Sequence, residues 1–509
     1  MNKKYITSLT LILMISVSSC SDLLEQTDPN AVTVDNYFQN ENDVQLAING
    51  VYQSLRSSDV VGENSGLYTD ERSDDTGTND NQSNSGEPFQ FNNFALLPSN
   101  TWLKNHWVAL YQSITRCNVV LSNIDKITFT DPGNKAKFIA EAKFVRAFIY
   151  FQLVRKWGDV PLVTKQLVTT DEITEYTARV KKELVYDQIV ADLKDVVASP
   201  LANLQTDANV GKISKAAGNA LLGQVYLTMA TTLDATNKTA NLNSAKTYLE
   251  AAYGKKTFNS LKDIPYTDVF DVAKKSTCPE LILQIVNKQG DLNYSSSIAA
   301  NTQAKGETIN SLKPSTGSGA NVTHDLVFDY EAGDLRKDFS IKYAADPTVQ
   351  DWFITKFRDA STTAGVNGYG GNNWILMRYA DVILMLAEVN MYLGNDAIAI
   401  QYLDMVRERA KMPLYAVSKT NAAYVAKYPT LKLAILHERR VELAFEHHRW
   451  FDLLRTFTTP ELTTYMQAKK QADFGNAKLI NFTAKDRYYP IPFDEFKLNP
   501  EKMYQNEGY

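Results

Sequence analysis

The sequence predicts an all-α fold, a helical body that carries long loops. Three observations predict it. Apolar residues recur at three- and four-residue spacing along most of the chain, the mark of helices with one buried face. Glycine and proline punctuate those stretches where helices should stop. Two polar segments, about 57–100 and 256–372, lose the helical period without the sustained alternation of strands.

The elements follow in order. Residues 21–40 read as extended, with a turn at Asp28-Pro29-Asn30. Asn40 suits an N-cap, and Asp43 favours the positive end of the helix that follows. Leu46, Ile48, Val51, Tyr52 and Leu55 form its apolar face. Helical spacing returns at Trp107, Tyr111, Ile114 and Val119. Glu141 to Trp157 is a strong helix with Phe144, Ala147, Phe148, Phe151 and Val154 on one side. Gly158 stops it and Pro161 blocks a restart. Helices are expected at 180–197, 212–232 and 241–254. Ala216, Ala217 and Ala220, with Gly218 and Gly223, make a small-residue face that admits a close neighbour. Leu281–Ile285 fits a strand or a buried loop segment. Glycine-rich pieces lie at 315–320 and 365–371. Helices resume at 375–394, 396–410, 430–446 and 448–456, and the end, 480–509, is punctuated by proline. The pair at 375–410 falls near tetratricopeptide spacing, with Gly394 at its turn. Pairs 135–155 with 181–197, and 212–232 with 241–254, have similar proportions. Stacked helical hairpins of this kind bury a continuous core and project loops from one face.

The N-terminus sets the compartment. Lys3 and Lys4 precede an apolar run from Ile6 to Val17. That run is shorter than the roughly 20 residues a membrane-spanning helix needs, so it reads as an export signal. Val17-Ser18-Ser19-Cys20 resembles a lipobox, which makes residues 1–19 the signal and Cys20 the lipidated residue. The alternative is an ordinary secretory signal with an incidental cysteine. Residues 20–509 are expected to form a single domain, tethered at one end by its lipid. The net charge is −5 and becomes −7 without Lys3 and Lys4. A mildly acidic body argues against nucleic acid. Cys117 and Cys278 are too few for a disulfide framework; they pair with each other or stand as separate thiols.

Catalytic and metal patterns are weak. Carboxylate pairs arise by chance among 58 acidic residues. His437-Glu438 begins like a zinc-protease helix, but position 441 is Val. The Asp-rich run at 70–80 lacks EF-hand spacing. No enzyme, cofactor or metal is expected. Glu438, Arg439, Arg440, Glu442 and Glu446 mix signs at helical spacing, so intrahelical pairs are available to them.

Six segments together resemble the SusD/RagB family of outer-membrane nutrient-binding lipoproteins of Bacteroidetes. They are Cys20-Ser21-Asp22-Leu23-Leu24, WVALYQSITRCN at 107–118, EAKFVRAFIYFQLVRKWGDVPLV at 141–163, RYADVILMLAEVNMYLGN at 378–395, ERRVELAFEHHRWFDLLR at 438–455 and YPIPFDEFKLNPEKMYQNEGY at 489–509. The resemblance covers the chain and is thinnest at 57–100 and 288–372. It implies four helix pairs of tetratricopeptide type beside a loop-rich half that carries the ligand site. It also implies a surface lipoprotein that hands a glycan to a SusC-like TonB-dependent transporter. A RagB-like peptide carrier, a surface glycoside hydrolase and a scaffold without ligand are the competing readings.

Sugar rings dock on flat aromatic side chains, and their hydroxyls need planar polar partners. Trp107, Trp157 and Trp450 fall inside the motifs and are expected in the core. Trp374 directly precedes a helix and reads as a packing residue. The candidate ligand residues are therefore Trp102, Tyr294, Trp352 and Tyr369, with Asp70, Arg72 and Asp74 as polar groups of the first loop.

Overall fold

The computed structural model describes residues 37–509 except 79, 81, 207–208, 234, 316–320 and 478–480. The export signal, Cys20, most of the extended stretch at 21–40 and most of the glycine-rich piece at 315–320 lie outside the described residues.

The longer helices are α1 (Glu41–Leu55), α2 (Thr101–Asn123), α3 (Pro132–Trp157), α4 (Lys182–Ala198), α5 (Lys215–Thr232), α6 (Lys238–Tyr253), α7 (Tyr379–Tyr392), α8 (Asp396–Arg409), α9 (Leu431–Glu442) and α10 (Arg449–Thr456). Asn40 caps α1 in a reciprocal box with Asp43. Val44, Ile48, Val51 and Leu55 bury its inner face, while Leu46 stays exposed. Asp131 caps α3, which starts with Pro132 ahead of the expected boundary. Gly158, at φ +74, ends it, and the Trp157 indole donates to the Pro490 carbonyl at 2.9 Å.

Helices pack in sequence-adjacent pairs: α3 with α4, α5 with α6, and α7 with α8. The small-residue face of α5 permits its close approach to α6 and α4. A Cβ on Gly223 would sit 2.5 Å from the Leu249 side chain, and one on Gly218 2.8 Å from Val196. Trp107 and Trp157 are buried in the main apolar core, and Trp450 in a smaller one near the C-terminus. Cys117 and Cys278 are separate, buried thiols.

Short strands brace the loops: β1 (Thr76–Gly77), β2 (Val160–Pro161), β3 (Arg179–Val180), β4 (Leu281–Ile285), β5 (Asn321–Val322), β6 (Ile341–Tyr343), β7 (Trp352–Ile354) and β8 (Trp374–Arg378). They form antiparallel sheets ordered β1-β5-β7-β6, β2-β3 and β4-β8. Leu281–Ile285 is thus a strand. The expected helix at 375–394 is divided, because its first residues pair with β4 and only Tyr379 onward coils. The helix expected over 430–446 stops at Glu442; Phe445 and His447 take positive φ in the turn that leads to α10.

Candidate functional site

The mixed-sign motif at 438–455 is internal, and apart from Arg455–Asp452 within α10 its ion-pair partners come from other elements. Arg378 donates to Glu280, Glu442 and Glu446 at 2.7 Å each. Arg336 donates to Asp334, Glu438 and Glu442. Arg407 donates to Glu331 and Glu438. Arg439 meets Asp381 and Asp452, and Arg455 meets Glu388 and Asp452. Buried charges persist only when paired in this way.

The Asp-rich loop feeds the same network. Asp70, Arg72 and Asp74 are 5%, 0% and 0% exposed. The expectation that they offer polar groups to a ligand is corrected: Asp70 and Asp74 tie the first loop to the motif at 438–455, and Arg72 ties it to Asp486. Asp74 accepts from Arg449 at 2.7 and 3.0 Å and from the Tyr465 hydroxyl at 2.6 Å. Asp75 accepts from Arg440 at 2.7 Å. Burial opposes the charge on Asp74, yet Arg440, Arg449 and Lys469 hold its carboxyl well below the usual range. Burial pushes Asp75 up to about 7 against the pull of Arg440 and Arg449. Arg72 donates to the Asp486 carbonyl at 2.6 Å and lies 4.3 Å from the Phe94 ring centre and 4.7 Å from that of Tyr489.

Asp70 also holds His447. The imidazole Nδ1 lies 2.9 Å from Asp70 Oδ2, and Nε2 lies 3.0 Å from Ser65 Oγ. These are the spacings of a nucleophile, base and orienter. The Ser65 hydroxyl, however, donates to the Gly62 carbonyl at 2.7 Å and the residue is buried. The arrangement clamps the first loop to the turn at His447.

That clamp borders a surface built by two loops. Residues 288–298 and 359–373 cross-brace through backbone and amide groups. Ser296 and Gly370 exchange backbone hydrogen bonds at 2.7 and 2.9 Å. The Gly290 amide donates to the Tyr369 carbonyl at 2.8 Å. Gly290 has φ +77, and a Cβ there would meet the Thr363 carbonyl at 2.8 Å, so the loops approach this closely only with glycine. Buried Asp359 accepts from the Gln289 amide at 2.7 and 2.8 Å and from the Gly371 backbone at 2.6 Å. Asp291 closes the outer turn by accepting from the Asn293 and Tyr294 amides at 2.9 and 3.1 Å.

Tyr294 emerges from this frame 49% exposed. The Arg56 guanidinium, at the end of α1, lies 5.4 Å from its ring centre. Arg56 itself is fixed by the Val286 carbonyl at 2.6 Å and the Asn287 amide oxygen at 2.7 Å. Tyr369 is half-buried on the facing strand of chain. Ser297 donates to exposed Glu63, which joins the platform to the first loop. Trp374, half-buried on β8, lies 6.3 Å from the His447 ring.

The structure therefore brings Tyr294 and Tyr369 into one pair of cross-braced loops and places the other candidates elsewhere. Trp102 is half-buried in the first turn of α2 and packs on the core; its carbonyl accepts from Tyr68. Trp352 belongs to β7, edge-on to Tyr343 and under Lys337. Sequence reasoning missed Arg56, Glu63 and Ser297. The signal available for Arg56 was its place one helical turn beyond Tyr52 on α1. An apolar hollow of about 400 Å³ lies on the helical half, lined by Trp107, Tyr111, Ile173 and Met503. It shares no residue with the platform, and Gln112, Thr115, Lys165, Gln166 and Glu495 also line it.

Known families match both ends of the chain. A model described as "SusD family" matches residues 340–509, and one described as "Starch-binding associating with outer membrane" matches residues 22–227. The chain belongs to the SusD-like family. SusD-like protein P2 of Formosa agariphila is 27% identical, with 98% of each chain covered. A solved structure titled a laminarin-binding SusD-like protein is 26% identical, with a TM-score of 0.74 over 93% of this chain and 100% of that one. A SusD homologue from Bacteroides thetaiotaomicron, 21% identical, superposes with a TM-score of 0.75 over 94% of this chain and 98% of that one. These SusD-like structures share the mostly helical class of this chain.

Proposed function

We propose that this SusD-like chain captures an oligo- or polysaccharide at the cell surface and passes it to a SusC-like TonB-dependent transporter, binding its ligand without altering it. One observation carries the reading: an exposed tyrosine ring held rigidly over an arginine, in a frame of backbone and amide groups. Such a ring gives apolar contact area at low entropic cost. Polar groups around it serve hydroxyls in both directions. The laminarin-binding relative supports a glucan as the first ligand to try. Tyr294 and Tyr369 are assigned the stacking surface, with Arg56, Glu63 and Ser297 at its edge. Residues 20–509 act as one unit, tethered by lipid on Cys20.

Calorimetry of the mature chain against laminarin, other polysaccharides and peptide mixtures tests the reading. Saccharide binding that Tyr294→Ala removes is the expected result. Binding of peptides alone overturns it in favour of a RagB-like carrier, and turnover of a glycan overturns it in favour of a hydrolase. Mild detergent extraction of native membranes is expected to co-purify the transporter, and Cys20→Ala to release the protein from the membrane fraction.

A further inference from the structure

The surface beside the platform is a trough that follows α1. Asn42, Gln45, Asn49, Tyr52, Gln53 and Arg56 recur at three- and four-residue intervals, so they share one face of the helix. The opposite face holds the buried Val44, Ile48, Val51 and Leu55. A solvated helix face is ordinarily rich in charged residues; this one carries side-chain amides. The Gln45 amide donates to Asn49 at 3.1 Å, which leaves each with further donor and acceptor capacity.

Two hollows lie along this face. One, of about 660 Å³, is lined by Asn42, Gln45, Asn134, Glu141, Gln205 and Lys212. The other, of about 260 Å³, is lined by Asn49, Tyr52, Gln53, Arg56, Lys212 and Val286 among others. Lys212 borders both. The wall between them is fixed, because the Tyr52 hydroxyl donates to Glu141 at 2.8 Å and accepts from the Ile213 amide at 3.0 Å. The second hollow ends at Arg56, the residue that lies against Tyr294. From Asn42 to Arg56 the helix rises about 21 Å at roughly 1.5 Å per residue.

We propose that this trough is an extension of the binding site, so that the ligand is a long, uncharged, hydroxyl-rich chain laid lengthwise along α1. The proposal rests on the saccharide reading of the platform. Amide groups both donate to and accept from hydroxyls. Glu41 and Glu141 are balanced by Lys137 and Lys212, which line the same hollow, so it favours neither an anionic nor a cationic polymer. Contacts along the trough add to those at Tyr294 as linked sites do, and only for a chain long enough to span both.

The test compares laminarin with a graded series of its oligosaccharides on the mature chain. The variants are Gln45→Ala/Asn49→Ala/Gln53→Ala, the single change Asn49→Lys, and Tyr294→Ala. Their melting temperatures are checked first, and Asn49→Lys serves if the triple variant is destabilised. Both trough variants are expected to weaken laminarin binding by about tenfold while leaving the shortest bound oligosaccharide within about twofold of the unmodified protein. Tyr294→Ala is expected to remove binding of both. Unchanged laminarin affinity in the trough variants, or equal loss for short and long ligands, overturns the extension and leaves the platform standing. An unmodified chain that binds no saccharide overturns both readings.

Discussion

The charged interior around α9 and α10 and the loop platform around Tyr294 are both dense in polar groups, and they use them in opposite ways. In the interior, guanidinium and carboxylate groups from distant segments meet out of water. Arg449 and Asp74, 375 positions apart, pair at 2.7 Å. On the platform, backbone and amide groups do most of the bracing, and the aromatic ring is left at the surface. Full charges fix the architecture here. The surface proposed to face a ligand leaves its ring outside the core.

That contrast is open to attack, most forcefully at Arg378. Arg378→Met removes the cation that Glu280, Glu442 and Glu446 share, leaving them only Arg409, Arg336 and Lys356. Breaking buried pairs of this kind costs about 3–5 kcal/mol, which chemical denaturation would read directly. A variant as stable as the parent would show that the network is ornamental.

Acid should attack the same region. Burial alone would raise the carboxyl of Glu446, but Arg378 and Lys356 hold it down at about 2. Arg439 and Arg455 likewise hold Asp452 at about 2 against its burial. Both groups bind protons more readily when unfolded, so their stabilisation is present above about pH 4.5 and is lost as pH falls toward 2. The melting temperature is expected to fall over that window. Glu446→Gln should flatten the fall, and an unchanged acid limb in that variant would place the sensitivity elsewhere.

A smaller loss is expected in the helical body. Ala147 is fully buried on α3, and Ala147→Leu should overpack it by roughly 1–3 kcal/mol. The smallest stability effect belongs to the platform. Tyr294→Ala should stay within about 0.5 kcal/mol of the parent while saccharide binding disappears. If instead it unfolds the protein, the ring is a structural element and the contrast between the two regions fails.

The helices were legible because periodicity, caps and stop residues agreed: Asn40, Gly158 and the small residues of α5 each act as expected. Long-range ion pairing was not legible. Nothing in Asp70–Asp75 distinguishes a solvated acidic loop from one whose charges are answered some 375 residues later. The end of α9 was hidden for another reason, because positive φ falls on Phe445 and His447, where no glycine marks it. The first residues of the 375–394 stretch are as apolar as the helix after them, and only pairing with β4 makes them a strand. The exposure of Tyr294 agrees with its polar setting between Asn293 and Ser295. The contact between Arg56 and Tyr294 was not legible, since it joins α1 to a loop more than 200 residues away.

The C-terminal tail carries a consequence for the order in which the chain can mature. Asn506 donates to the carbonyls of Trp157 and Tyr489, and Arg179 donates to Asn506 and to the Tyr504 carbonyl. The exit of α3 and the β2-β3 hairpin therefore wait for residues made some 300 positions later. A chain that stops short of Tyr504 leaves those groups without these partners, so a truncation at 503 should be cut more readily by proteases near the exit of α3 than the full chain is.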